Sequence, residues 1–215
     1  MATTRITAGA WRGRTIPTPA GGAMRPTRSL VREALFNILG DRVIDAAVVD
    51  LYAGAGSVGF EALSRGSAAV TFVERDRRAC ALIAETAERF RCTPQVSVVA
   101  ADVVSWLRRH PPQLAEADLC FVDAPYRDER IGVTLELIAA QPAQLVILEH
   151  HRARRLAPPP GLVHLREAEY GLTHLSFFAP AGMTGREDSA ADEVLSTARA
   201  SQGEEAAGVR LGGRR

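Results

Sequence analysis

Short apolar runs alternate with amphipathic stretches through most of the chain. The runs lie at 48–52 (VVDLY), 70–74 (VTFVE), 96–100 (VSVVA), 118–122 (DLCFV) and 144–148 (QLVIL), then at 162–166 and 173–179. Stretches of helical period fit between them at about 57–65, 77–90, 102–110 and 129–140. Near-continuous apolar strands separated by helices predict an α/β fold, a mostly parallel seven-stranded sheet covered on both faces. The last two runs have no helix between them and are joined through Glu169, Tyr170 and Gly171, which predicts an antiparallel hairpin at the sheet edge. Upstream, a hairpin is expected at about 4–8 and 14–17, then a helix from Thr27 to about Leu39. Thr27 behind Pro26 suits an N-cap, and Val31, Leu35, Ile38 and Leu39 share one helical face.

Composition divides the chain into three segments. Residues 1–42 carry seven Arg against Glu33 and Asp41, whereas the remainder carries nineteen Arg against twenty-three acids. Residues 1–45 therefore read as a basic hairpin-and-helix extension suited to a polyanion, and 46–181 as the α/β domain. Residues 182–215 hold only Val194, Leu195, Val209 and Leu211 from the Leu/Ile/Val/Phe set, too little apolar surface to order a segment, so a disordered tail is expected. The overall 47% hydrophobic and 24% charged residues are ordinary for a globular domain and exclude collagen, coiled coil and wholesale disorder. No apolar stretch is long enough to span a membrane, and the first twenty residues lack the apolar core of a secretory leader. Cys80, Cys92 and Cys120 have neither disulfide nor zinc-ligand spacing. A cytoplasmic protein without a metal is the expectation.

The first sheet run leads into Asp50-Leu-Tyr52-Ala53-Gly54-Ala-Gly56-Ser-Val-Gly59. Gly54, Gly56 and Gly59 satisfy G-x-G-x-x-G at a strand-to-helix turn, and Glu74 ends the next strand twenty residues after Gly54. This is the arrangement that binds adenosine-containing cofactors. Asp50 bears on which one. A carboxylate at that strand end would repel a pyrophosphate by several kcal/mol, but would attract the ammonium and sulfonium of S-adenosylmethionine. Glu74 can accept from both ribose hydroxyls of either cofactor. Asp102, after the third run, is placed to accept from the adenine amino group, to cap a following helix, or to do both.

Asp123-Ala124-Pro125-Tyr126 follows the fourth run, at the sheet edge where open α/β folds bind ligands. An exocyclic amine of a nucleobase is a weak nucleophile because its lone pair is delocalised into the ring. The Asp123 carboxylate and the Ala124 carbonyl can each accept one of its N–H bonds and turn the lone pair toward a methyl donor. Tyr126 can stack on a base drawn out of its helix. Alignment of this kind supplies up to about 7–11 kcal/mol.

Taken together these motifs resemble the RsmD family, bacterial methyltransferases of a guanine N2 in 16S ribosomal RNA. The resemblance runs from about Arg5 to Pro180. It rests on Arg5-Ile-Thr-Ala-Gly9, Arg12-Gly-Arg14, Arg25-Pro-Thr27 and Val31-Arg-Glu-Ala-Leu-Phe-Asn37, the last two being the most family-specific. It continues through the glycine loop, Glu61-Ala-Leu-Ser-Arg-Gly66, Phe72-Val-Glu74, Asp123–Tyr126 and Tyr170-Gly-Leu-Thr-His-Leu175. It implies a Rossmann-like class I fold and S-adenosylmethionine as donor, leaving S-adenosylhomocysteine. It also implies Asp50, Tyr52, Ala53, Gly54, Gly56, Glu74 and Asp102 as the cofactor set. The implied partner is 16S rRNA, within the small ribosomal subunit or its precursor, for a monomeric enzyme. Two positions depart from the family. Ala124 stands where the first Pro of Asp-Pro-Pro-Phe/Tyr is usual, which keeps the carbonyl and loses rigidity. Arg28-Ser29 replace a Thr-Asp pair, adding a cation.

Arg12, Arg14, Arg25, Arg28 and Arg32 are assigned to RNA phosphates, with Arg152, Arg154 and Arg155 as weaker candidates. Trp11 reads as a cover over the core. Glu149-His150-His151 does not suit a metal, since neighbours on a strand point to opposite faces. An adenine-N6 methyltransferase, a nicotinamide-dependent oxidoreductase and a non-catalytic RNA-binding relative are the competing functions.

Overall fold

In the computed structural model, which describes residues 2–18, 26–109, 111–126, 128–154 and 156–182, the first five sheet runs form parallel strands: β3 (Ala47–Leu51), β4 (Ala69–Glu74), β5 (Val96–Ala100), β6 (Leu119–Val122) and β7 (Leu145–His151). The long strands β8 (Leu162–Tyr170) and β9 (Thr173–Pro180) complete a seven-stranded sheet in the order β5-β4-β3-β6-β7-β9-β8. Strand β9 runs antiparallel to β7, and β8 is the outer strand of the expected hairpin. The turn is Gly171-Leu172 rather than 169–171, because pairing persists through Tyr170 and Thr173. Strand order reverses at β3, with β4 on one side and β6 on the other. Their carboxyl ends open the crevice where such sheets bind ligands.

Each sheet face is covered. On one face pack α1 (Pro26–Leu39), α2 (Ser57–Ser64) and α3 (Arg77–Phe90), through Phe36, Phe60, Ile83 and Phe90. The opposite face takes α4 (Val103–Leu107), α5 (Pro111–Ala115) and α6 (Ile131–Ala140), through Trp106, Leu114 and Leu135. The helix expected over 102–110 ends at Leu107. Pro111 and Pro112, which lack an N–H, open a separate turn of helix instead. Among the described residues no helix is long and apolar enough to cross a membrane.

The N-terminal hairpin pairs β1 (Ala2–Arg5) with β2 (Thr15–Thr18), shorter and displaced from 4–8 and 14–17. Ile6 still exchanges backbone hydrogen bonds with Arg14 and Gly13, and from Thr7 on the chain finds other partners. The amides of Thr7 and Ala8 donate to the Glu61 carboxylate, and the amide of Ala10 to the Ser64 carbonyl. Gly9 is obligatory there, as a Cβ on it would lie 1.8 Å from the Ser64 carbonyl oxygen. Ile6 and Ile16 are buried in the same core as α1 and the sheet. The predicted tail, 182–215, lies outside the described residues except for Gly182.

Candidate active site

The glycine loop is built from the inside outward. Asp50 sits on the α2 side of β3, 2% exposed, and its Oδ2 accepts the Gly59 N–H at 3.0 Å. That amide is one of the unpaired donors at the start of α2, so the carboxylate caps the helix. Asp50, expected beside the ligand, therefore lies behind the loop and is not part of the cleft wall. Burial pushes its carboxyl up to about 7, with Asp123 and Glu74 adding repulsion and the Gly59 hydrogen bond working against the shift. Gly59 carries the close helix–sheet contact, since a Cβ there would come within 2.2 Å of the Phe72 ring. Gly56 opens α2 with φ +76°, a left-handed conformation that favours glycine, and it too packs inward rather than on the cleft.

Tyr52, Ala53 and Gly54 do face a cleft of about 690 Å3 beyond the strand ends. Tyr52 holds φ +59°, uncommon for a residue with a side chain, and its hydroxyl is anchored on Thr134 Oγ1 at 2.8 Å. Glu74, on the same cleft, accepts the Gly54 N–H at 2.9 Å and the Asp76 N–H at 2.8 Å, tying loop to strand end. Asp102 lines the cleft and also caps α4, accepting the Ser105 N–H at 3.0 Å. Arg130, which sequence reasoning passed over, pairs with Asp102 at 3.0 Å and with Asp128 at 3.4 Å. Burial alone would raise the Asp102 carboxyl. The Ser105 N–H and the Arg130 guanidinium hold it below its ordinary value.

Across the cleft stands the turn after β6. Asp123, Ala124, Pro125 and Tyr126 all border it, with Ala124 buried and Tyr126 42% exposed. The Tyr126 hydroxyl meets Thr173 Oγ1 at 3.2 Å, and its ring lies edge-on to His151 at 5.6 Å. Arg154, a candidate for phosphate, instead donates to the carbonyls of Tyr126 at 3.3 Å and Asp128 at 2.7 Å. These side chains brace a turn that lacks one proline of the usual pair.

The basic set divides. Arg32 borders the cleft but is 5% exposed, donating to Glu61 at 3.3 Å, Thr4 Oγ1 at 3.4 Å and the Arg5 carbonyl at 2.6 Å. It cements the extension to α2, which corrects its assignment to phosphate. Glu61, fully buried, also receives Thr7 and Arg65, and their hydrogen bonds hold its carboxyl low against the effect of burial. Arg14 stacks on Phe90 at 3.9 Å and donates to the Arg89 carbonyl, while remaining exposed. Arg12 is exposed. Arg25 and Arg155 lie outside the described residues, as does the Arg28 side chain. Trp11 packs on Phe90 at 4.9 Å as a core cover.

The sheet order, the glycine loop after β3 and the acidic residue closing β4 define a Rossmann-like methyltransferase fold. The family model Conserved hypothetical protein 95 matches residues 4–179, and the chain belongs to that family, the RsmD family. The chain is 31% identical over 173 residues to Ribosomal RNA small subunit methyltransferase D of Haemophilus influenzae, covering 78% of this chain and 89% of that one. The Escherichia coli protein of the same name is 36% identical over 135 residues, 62% of this chain and 66% of that one. Among solved structures, Escherichia coli yhhF, provisionally described as a methyltransferase, superposes with a TM-score of 0.71 at 30% identity. The match covers 83% of this chain and 98% of that one.

Proposed function

We propose that this protein transfers a methyl group from S-adenosylmethionine to the exocyclic N2 of a guanine in 16S rRNA, within the small ribosomal subunit or its precursor. One observation carries the reading: the adenosine-binding signature (Tyr52 to Gly54, Glu74, Asp102) and the Asp123–Tyr126 turn border the same cleft. The relatives named as small-subunit methyltransferases support the substrate class.

The residues suit the donor. The cleft volume falls in the range of small-molecule sites. Glu74 and Asp102 offer carboxylate acceptors to hydroxyl and amino groups, and the N-terminus of α2 offers amides to a carboxylate. When bound, S-adenosylmethionine supplies a methyl group activated by a sulfonium. The chain's own part is alignment. The Asp123 carboxylate and the Ala124 carbonyl each take one N–H of the guanine amine, freeing its lone pair to point at the methyl. Tyr126 holds the base plane by stacking, its own position set by Thr173 and His151. The bound donor would give up its methyl to the amine nitrogen and leave as S-adenosylhomocysteine, and the amine proton would depart afterwards, so no strong general base is required of the chain. Arg12 and Arg14, exposed on the extension, hold RNA phosphates.

The test supplies labelled S-adenosylmethionine and small subunits from a strain lacking the enzyme to the purified protein, then identifies the labelled nucleoside by mass. Labelled N2-methylguanosine is expected. Labelled N6-methyladenosine would reassign the target base, and no label on RNA while the cofactor binds would point to a non-catalytic relative.

A further inference from the structure

Outside the cleft, strand pairing assembles a second polar constellation. His150 on β7 lies directly opposite His174 on β9, and Glu167 on β8 lies opposite Ser176. All four side chains stand on the sheet face that carries Leu148 and Phe178, where apolar residues are the rule. His150, His174 and Ser176 are all less than a tenth exposed. His150 Nε2 is 2.8 Å from Ser176 Oγ, which lies 3.4 Å from Glu167 Oε2. His174 Nδ1 meets Glu167 Oε1 at 2.5 Å. One ligand atom from each of His150, Glu167 and His174 can be chosen so that all lie within 4.8 Å of one another.

We propose that His150, Glu167 and His174 form a binding site for a divalent transition ion of the zinc class, with Ser176 or a water in the remaining position. Two imidazoles and a carboxylate are the donor set that such an ion prefers. The outward nitrogen of His150 also has a carbonyl partner of the kind expected of a metal ligand, while that of His174 has only a more distant, exposed carboxylate. His150 Nδ1 is 3.3 Å from the His151 carbonyl, and His174 Nε2 is 4.0 Å from Glu169 Oε2. His150 Nε2 is turned toward Ser176 Oγ, and His174 Nδ1 toward the Glu167 carboxylate that Ser176 also approaches. Tetrahedral ligands about 2.0–2.1 Å from an ion stand about 3.3 Å apart. The donors approach that spacing by rotation of side chains on three fixed strands. The ion would cross-link β7, β8 and β9 beside Thr173 and His151, the two residues that hold Tyr126. The site is independent of the proposed methyl transfer, and so is its test.

Untagged full-length protein is stripped with EDTA and titrated with Co2+, then with Zn2+. The expected results are one ion per chain, visible ligand-field absorption from Co2+ that Zn2+ displaces, and a higher unfolding temperature with Zn2+. Glu167→Gln and His174→Gln are each expected to weaken binding more than about tenfold, at least the loss seen when outer-shell partners are removed. Wild-type protein that shows neither Co2+ absorption nor a Zn2+-dependent unfolding shift overturns the proposal and leaves a pure hydrogen-bond cluster. Undiminished Zn2+ binding in a His150→Gln/His174→Gln double variant overturns it equally. Glu167→Gln, at the more exposed strand, keeps the comparison usable should the buried histidine variants fail to fold by circular dichroism, and the wild-type titration is decisive alone.

Discussion

The two walls of the cleft are held by different means. On the wall of the glycine loop, the backbone is fixed by carboxylates, buried Asp50 on the Gly59 amide, half-buried Glu74 on the Gly54 amide, and buried Glu61 on Thr7, Ala8, Arg32 and Arg65. The opposite wall, the Asp123–Tyr126 turn, is held by side chains reaching in from neighbouring elements, Thr173 and Arg154 foremost. The first is preorganised within the core and the second is braced from the rim. A cofactor of constant shape suits a rigid wall, and a base arriving from a large RNA suits one whose aromatic residue is exposed. Arg130 joins the two sides by pairing with both Asp102 and Asp128.

Breaking the rigid wall has the largest effect. Glu61→Ala strands Arg32 against a buried site, and loss of one partner of a buried pair costs about 3–5 kcal/mol. Urea unfolding is expected to show a loss of that order, and a loss below about 1 kcal/mol, as at a surface pair, would mean the network is slack. Asp50 sharpens the contrast through pH. Its carboxyl titrates near 3.8 in the unfolded chain and is pushed up to about 7 in the fold. The folded state thus binds the extra proton between those values, and wild-type stability falls as pH rises from about 4 to about 7, levelling above. Asp50→Asn is expected to remove that slope while keeping the Gly59 hydrogen bond, and parallel pH profiles for the two proteins would contradict the assignment.

On the braced wall, Ala124→Pro restores the family residue and is expected to add about 0.4–1 kcal/mol of stability through the unfolded state, with methyl transfer retained. A lower unfolding temperature would show that the turn has adapted to alanine. The smallest effect is at the rim. Arg12→Ala is expected to weaken RNA binding uniformly and to reduce the salt slope of log K by about one, and an unchanged slope would remove Arg12 from the interface.

Much of the frame was legible because it depends on local pattern. Helix α3 and strand β5 fall on the boundaries that their periodicity predicts, and the G-x-G-x-x-G turn lies between strand and helix as the motif requires. Legibility ended where function depends on partners distant in sequence. Spacing placed Asp50 at the strand end but left open which way the carboxylate faces, and the orphan amide of Gly59 decides it. Arg32 reads as one more cation in a basic arm until Glu61, twenty-nine residues later, is packed against it. Arg154 and Thr173 carried no sign that they hold Tyr126. His150 and His174 become neighbours only through β7–β9 pairing, so judging His150 against its adjacent residues missed the constellation. Composition reads the extension as a basic arm for a polyanion, yet Ile6 and Ile16 are core residues, so deleting it would test folding as much as RNA binding.

The division of labour between the walls is tested most directly in Asp123→Ala. Its affinity for S-adenosylhomocysteine, by calorimetry, is compared with its single-turnover methyl transfer to small subunits. The expectation is cofactor affinity close to wild type and transfer lowered about 10²–10³-fold, the cost of losing one positioned hydrogen-bonding group. Parallel losses of affinity and transfer, or wild-type transfer, would contradict the role assigned to the turn.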